Sequence, residues 1–326
     1  MKRLLFISSL IMLAVACSRP AETDPLPSVP LGHIERIESM PSDYVLPRHV
    51  DIWLPEGYEP SNTYSVIYMH DGQMLFDSTI TWNRQAWRVH EVAQRLIDEG
   101  IIDPCIVVGV HNAGPLRTYE YYPGKPFLLL PLEMREMMVR QIPEETKEMI
   151  AGLHADGADQ LIEQPLSDDY LRFLVNELKP LIDSSYSTKT GPEHTFVMGA
   201  SMGGLISWYA LCEYPEVFGG AGCLSTHWPG PSNKLDDPAP QAFYAYLRDH
   251  LPTPGKHRIY FDYGTATLDS LYEPYQIQAD IVMREAGYDE YNWLTCKFEG
   301  DAHNEISWNG RLHIPLEFLM EVAVRN

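Results

Sequence analysis

The sequence predicts an α/β chain: a mostly parallel central sheet with helices on both faces and a helical insertion. Three observations carry that reading. Short continuous apolar runs at 66–69 (Val-Ile-Tyr-Met) and 105–110 (Cys-Ile-Val-Val-Gly-Val) suit strands buried on both faces. Amphipathic, helix-like stretches alternate with such runs, as parallel strands require, because every crossover must carry the chain back to the same end of the sheet. Finally, a glycine-rich turn at 199–204 joins a strand-like segment to a helix-like one.

The elements follow in order. Lys2 and Arg3 precede an apolar run from Leu4 to Val15, and small residues lead into Cys17. That run is too short to span a bilayer and reads as a signal peptide over 1–16. Two processing routes fit Ala14-Val15-Ala16-Cys17. A signal peptidase can read Ala14-x-Ala16, or Cys17 can be lipidated, since the segment resembles a bacterial lipobox, whose pattern prefers leucine where Ala14 stands. Cys17 lies directly at the cut, which favours lipidation and an exported protein, periplasmic or held at the outer membrane of a bacterial envelope. Residues 17–31, rich in proline and polar groups, read as a tether. From 32 to 326 neither a linker-like stretch nor a repeat appears, so one domain is expected.

Within it, Val50, Ile52 and Leu54 alternate with outward residues, as in an early half-exposed strand. A helix is expected near 86–99, ended by Gly100. Another opens at Ser167-Asp168-Asp169, with a stripe at Leu171, Leu174, Leu178 and Leu181. Further strands are expected near 195–199, 220–224, 258–262 and 293–297. Residues 125–165, first proline-rich and then rich in Met and Glu (Met134, Met137, Met138, Met149), read as the helical insertion. It either packs over the sheet edge or caps the site, since insertions at strand C-terminal ends build binding surfaces in α/β proteins.

Composition narrows the function. With 24 Lys and Arg against 45 Asp and Glu, the surface repels phosphate backbones, which argues against nucleic-acid partners and against docking on anionic lipid. Membrane contact is then expected only through a lipidated N-terminus. Cys105, Cys212, Cys223 and Cys296 have no metal-ligand spacing, and each lies in an apolar stretch that suits a buried free thiol.

The chemistry is concentrated in three places. Gly199-Ala200-Ser201-Met202-Gly203 is a G-x-S-x-G between a strand (195–198) and a helix (205–211), the setting of a nucleophilic serine on a sharp turn. The other reading is a glycine-rich turn with a capping serine. A serine hydroxyl needs a base within hydrogen-bond reach, and His303, in the loop after the last strand, is placed to return over the sheet. An acid should follow the preceding strand. Asp269 lies in the loop beyond Gly264 and is favoured; Asp262, inside the strand, and Glu273 remain rivals, while Asp301 is too near His303 in sequence. Oxyanion donors are expected from the N–H of Met202 and of Gly72 or Gln73, the latter in the loop after an early central strand. That loop also reads as a plain Asp-Gly turn.

These residues carry a resemblance. Arg48-x-Val50-x-Ile52-x-Leu54-Pro55, Tyr68-Met69-His70-Asp71-Gly72-Gln73, Arg117-x-x-Glu120-Tyr121-x-Pro123, the serine motif, Gly264-Thr265-x-x-x-Asp269 and His303-x-Glu305-x-x-Trp308 resemble the putative-esterase group of α/β hydrolases. That group includes feruloyl and acetyl-xylan esterases of carbohydrate esterase family 1, enterochelin-type siderophore esterases and S-formylglutathione hydrolase. The resemblance implies the α/β-hydrolase fold, a Ser201–His303–Asp269 triad acting on carboxylic esters, and no metal or organic cofactor. It also implies that Trp308 and the Ser225–Trp228 stretch flank the pocket, so that His227, Trp228 and Trp308 contact substrate, although either tryptophan suits a core equally well. An exported member suits acyl or feruloyl esters of carbohydrates. A siderophore esterase and a non-catalytic glycan-binding module on the same scaffold are the alternatives.

Overall fold

The computed structural model describes residues 25–153, 164–230 and 233–320. The leader 1–16, Cys17 and most of the tether lie outside the described residues. Among the described residues, eight strands form one sheet in the order β1-β2-β4-β3-β5-β6-β7-β8. They are β1 (His33–Met40), β2 (Arg48–Leu54), β3 (Ser65–His70), β4 (Cys105–Val110), β5 (Thr195–Ala200), β6 (Gly220–Leu224), β7 (Arg258–Gly264) and β8 (Trp293–Phe298). From β4 through β8 all neighbours are parallel, while β2 runs antiparallel to both β1 and β4.

The central strands are the continuous apolar runs, and β3, β4 and β5 are buried along their whole length. Successive side chains of a strand point to opposite faces. Val66, Tyr68, Val108, Val197 and Phe261 therefore share one core, covered by the helical run 167–185 and by helices Met202–Glu213, Pro238–His250 and Glu273–Glu285. Ile67, Met69, Val107, Met198 and Tyr260 share the other, covered by helices Val89–Asp98 and His313–Met320. Each of these buried side chains contributes about 1.5–3 kcal/mol, which makes the two cores the main source of stability.

Two departures from the sequence pattern have local causes. Strand β1 was not expected, because His-Ile-Glu-Arg-Ile-Glu-Ser-Met is polar; it forms as a half-exposed edge, paired to β2 and tied to it by a two-pronged ion pair from Arg36 to Asp51 (2.6 and 2.8 Å). In the run 167–185 the turn Phe173–Leu178 is wider than an α-helical turn. Pro180 follows it, and a wide turn relieves the clash and the missing donor that proline brings to a helix. Ile182 rather than Leu181 then faces the core, and Leu181 is exposed.

The insertion is helical over Gly124–Leu128, Leu132–Arg140 and Glu144–Leu153. Phe127 and Leu130 pack on Ala239 and Ala242, so its apolar side is spent on helix Pro238–His250. Cys105, Cys212, Cys223 and Cys296 are free thiols.

Candidate active site

Strand β3 lies between β4 and β5, so the chain leaves it toward opposite edges of the sheet. In open parallel sheets the crevice at such a reversal, beyond the strand C-terminal ends, is where ligands bind. The segments that meet there are 70–74, after β3, and 200–204, after β5.

Each of these turns is held by close packing. A Cβ on Gly199 would come within 3.0 Å of the Gly203 backbone, and one on Gly72 within 2.5 Å of the Gly109 carbonyl on β4. Ser201 adopts φ 60°, ψ −121°, a conformation that costs an L residue on the order of 1–3 kcal/mol. It is pinned by its own N–H donating to the Leu224 carbonyl (3.0 Å) and by its carbonyl accepting from the N–H of Gly204, Leu205 and His227 (3.0, 3.2 and 3.2 Å). Helix Met202–Glu213 starts at the next residue, so the Met202 N–H is one of the first-turn donors without a helical acceptor. Asp71, in the left-handed region (φ 58°), turns the other loop.

His303 follows β8, and Asp269 lies in the short turn Thr267–Leu271 beyond β7. Their side chains meet: Nδ1 of His303 is 2.6 Å from Oδ1 of Asp269. The His303 N–H donates to Oγ1 of Thr267 (2.8 Å), which fixes the loop that carries the imidazole. Oδ2 of Asp269 accepts from Oγ of Ser225 (2.6 Å) and from the N–H of Gly264 (2.7 Å). Burial pushes the Asp269 carboxyl up, but the bonds from His303, Ser225 and Gly264 outweigh it and hold the group below its ordinary value. The carboxylate is therefore ionised and buried beside the imidazole.

The rival acids are engaged elsewhere. Asp262 is fully buried and forms an ion pair with Arg311 (3.0 and 3.1 Å) while accepting from the N–H of Ser225 (2.9 Å). Glu273 binds Lys297 (2.9 Å), and Asp301 binds Arg311 (2.9 Å).

Ser201 and His303 line one cavity of about 300 Å³. Gln73 and Trp308, both expected near the site, line it too, along with Trp82, Trp87 and Glu305. Its polar wall is Asp71, held by a bidentate bond from Arg117 (2.7 and 2.8 Å) and by Nδ2 of Asn112 (2.7 Å). Trp308 lies edge-on to His303 (5.1 Å between rings), packs on Trp87 and donates from Nε1 to Oγ of Ser225 (2.9 Å). Trp82 is 84% exposed at the mouth.

Two expectations about the pocket are corrected. Trp228 is not a pocket residue: it is fully buried, stacked on Trp208, with Nε1 donating to Oε1 of Gln276 (2.8 Å), because the chain after β6 turns its indole down into the core. His227 is not among the residues that line the Ser201 cavity; its N–H donates to the Ser201 carbonyl (3.2 Å), and its Nδ1 is 2.8 Å from the Tyr272 hydroxyl. The described residues of the insertion line a separate apolar cavity of about 260 Å³, with Thr118, Tyr119 and Tyr122, and none of them borders the Ser201 cavity. Of the expected oxyanion residues, Gln73 lines the cavity and Gly72 and Met202 do not; Oε1 of Gln73 accepts from the Asn112 N–H (3.2 Å). Sequence reasoning passed over Trp82, Trp87, Asn112 and Tyr272. Arg117 stood among the resemblance motifs, but its pairing with Asp71 across 46 positions had no signal in the sequence.

With this geometry in place, comparisons with known proteins are informative. The family model Esterase, described as "Putative esterase", matches residues 45–129 and 132–281, most of the chain and including Ser201 and Asp269. The chain belongs to the Esterase family. The break in the match falls in the insertion, and His303 lies beyond its end. Among curated proteins, this Esterase-family chain is 23% identical over 183 residues to the uncharacterized protein YbbA of Bacillus subtilis, covering 56% of this chain and 58% of that one. It is also 23% identical over 168 residues to the uncharacterized protein YjcH of the same organism, covering 52% and 51%. The matched region thus spans little more than half the length of either relative. Among solved structures it is similar to the BES protein of Bacillus cereus (15% identity, 91% of this chain and 98% of that chain, TM-score 0.61). It is likewise similar to the enterobactin esterase FES of Shigella flexneri (18% identity, 90% and 60%, TM-score 0.59). A CE1 ferulic acid esterase of Anaeromyces mucronatus is a third neighbour (17% identity, 92% and 96%, TM-score 0.57). At these identities the structural likeness speaks to the fold, which is that of the α/β hydrolases.

Proposed function

We propose that this member of the Esterase family hydrolyses carboxylic esters through Ser201, His303 and Asp269. The observation that carries the reading is the 2.6 Å contact between His303 Nδ1 and a buried, ionised Asp269, with Ser201 on a strained turn in the same cavity. Ser201 Oγ attacks the ester carbonyl and its proton passes to Nε2 of His303. Asp269 keeps the imidazole in the tautomer that presents Nε2 as acceptor and stabilises the imidazolium. The N–H groups of Met202 and of Gly72 or Gln73 receive the oxyanion. His303 then protonates the leaving alcohol, and water, deprotonated by the same imidazole, resolves the acyl-enzyme.

The substrate we infer is an acyl or feruloyl ester of a carbohydrate. Support comes from three indoles on one small cavity, since flat apolar rings stack well on sugars and on aromatic acyl groups. Export, with Cys17 lipidated, is part of the same proposal and rests on the N-terminal sequence. Treatment with a fluorophosphonate probe tests the mechanism: it should label the wild type and leave Ser201→Ala unlabelled. An unlabelled wild type would support a non-catalytic glycan-binding role instead. Feruloyl, acetyl and catecholate esters assayed side by side then discriminate carbohydrate from siderophore substrates.

A further inference from the structure

A second hollow adjoins the Ser201 cavity. It encloses about 190 Å³, and Gln73, Met74 and Trp82 line both, so the two meet along these three side chains. Their remaining walls differ in character. Ser201 and His303 share their cavity with the indoles of Trp87 and Trp308, whereas the second hollow is bordered by Arg36 of β1, Asp51 of β2 and His111, just past β4. Ile80 and, from the end of the tether, Pro27 also line it.

The polar side of this hollow is a fixed ion network. Arg36 binds both oxygens of Asp51 (2.6 and 2.8 Å), and Nε2 of His111 lies 2.8 Å from Oδ2. All three side chains are buried. Burial pushes the Asp51 carboxyl up, but the bonds from Arg36 and His111 outweigh it and hold the group below its ordinary value, so it is ionised. An ionised carboxylate only accepts, and Nε2 of His111 therefore carries the N–H. Nδ1 has no hydrogen-bond partner among the described residues and, in the neutral ring, is left as an acceptor.

This chemistry selects among ligands. The charges of Arg36 and Asp51 cancel, so the hollow offers an anionic group no uncompensated cation. A wholly apolar group would cover an acceptor without pairing it, which costs free energy. A neutral ring rich in hydroxyls suits both conditions, because its hydroxyls can bond fixed polar groups while its C–H face lies on an indole. Trp82, largely exposed where the two hollows meet, supplies that face.

We propose that the second hollow is a subsite for the sugar of the ester: the acyl group occupies the Ser201 cavity, and the sugar extends past Gln73, Met74 and Trp82 onto His111 and the Arg36–Asp51 pair. The inference rests on the hydrolytic reading of Ser201 with a carbohydrate ester as substrate. Contacts remote from the reacting carbonyl contribute to the barrier as well as to capture, so their loss reads in kcat/KM.

The test gives the purified protein two esters of one acyl group: methyl ferulate and ferulate esterified to arabinose, with methyl acetate and acetylated xylose as a second pair. Holding the acyl group fixed removes the Ser201 cavity from the ratio. The wild type should favour the sugar ester of at least one pair by about tenfold or more in kcat/KM. Ile80→Trp, which fills the hollow, should bring that sugar ester to within about threefold of its methyl ester, with methyl-ester turnover within about twofold of wild type. His111→Ala, which removes the acceptor, should lose most of the same preference. A wild type equally efficient on methyl and sugar esters overturns the proposal, as does a folded Ile80→Trp protein that keeps the full preference. The two readings fail separately. A wild type that turns over none of the four esters and takes up no fluorophosphonate removes the hydrolytic reading, whereas a labelled enzyme without sugar preference removes only the subsite.

Discussion

Oδ1 of Asp269 lies 2.6 Å from Nδ1 of His303, while Oδ2 of the same carboxylate is held by Ser225 and by the Gly264 N–H. One oxygen orients the imidazole and the other anchors the carboxylate, so the acid cannot rotate away. Asp269→Asn keeps the shape but offers the imidazole an amide. We expect it to lose at least about a hundredfold in kcat with little change in KM, read from steady-state ester hydrolysis. A loss confined to KM would show that Asp269 acts on substrate binding instead.

Asp262 should behave differently. It neutralises Arg311 in a fully buried setting, and breaking a buried pair by removing one partner typically costs about 3–5 kcal/mol. Asp262→Asn is therefore expected to lower the unfolding midpoint clearly, while kcat per folded molecule falls much less than in Asp269→Asn. Equal kinetic damage in both variants would mean that Asp262, and not only Asp269, governs the imidazole.

Stability should fall as the solution is acidified from neutrality. His70 is buried, its Nδ1 is 2.8 Å from the Tyr170 hydroxyl, and its Nε2 has no hydrogen-bond partner among the described residues. Burial is the largest influence and, with Arg117 against Asp71, pushes the imidazole from 6.5 down to about 3. Between those values the unfolded chain binds a proton that the folded chain refuses, so stability rises with pH in that window and is lost as pH drops. From pH 6.5 to 4 the effect is on the order of 3 kcal/mol. Urea midpoints at pH 5 and 7 should be well separated in the wild type and closer together in His70→Asn. An unchanged separation would assign the acid sensitivity to other groups.

The tryptophans should separate by role. Trp82→Ala removes an exposed ring and should raise KM for aromatic or glycosyl esters severalfold without moving the melting temperature. Trp228→Ala empties a core site and should cost about 3–5 kcal/mol of stability. Binding loss in folded Trp228→Ala with Trp82→Ala normal would reverse the assignment.

Processing is tested at Cys17. Expressed in a bacterial host, the wild type should partition with membranes and Cys17→Ser should be released in soluble form. Equal solubility of the two after leader removal would exclude the lipid anchor and leave ordinary export standing.

The amino-acid sequence by itself determined the local elements. Runs such as 105–110 and 220–224 became strands with those bounds, because a strand buried on both faces admits little but apolar residues. The turn at Ser201 was legible because Gly199 and Gly204 answer a packing constraint: a Cβ there would come within 3.0 Å of the Gly203 backbone and 2.8 Å of Thr226 Oγ1. The acid was half legible: a position past the strand end favoured Asp269, but only the fold showed that Asp262 is consumed by Arg311, 49 positions away. The edge strand β1 was invisible, since its pattern is polar and its partner supplies the ladder. Tertiary structure alone decided which tryptophan faces the cavity, that the His227 N–H bonds the Ser201 carbonyl, and that its ring meets Tyr272. Side-chain direction after a strand depends on how the loop turns, and loops are fixed by distant contacts rather than by their own periodicity.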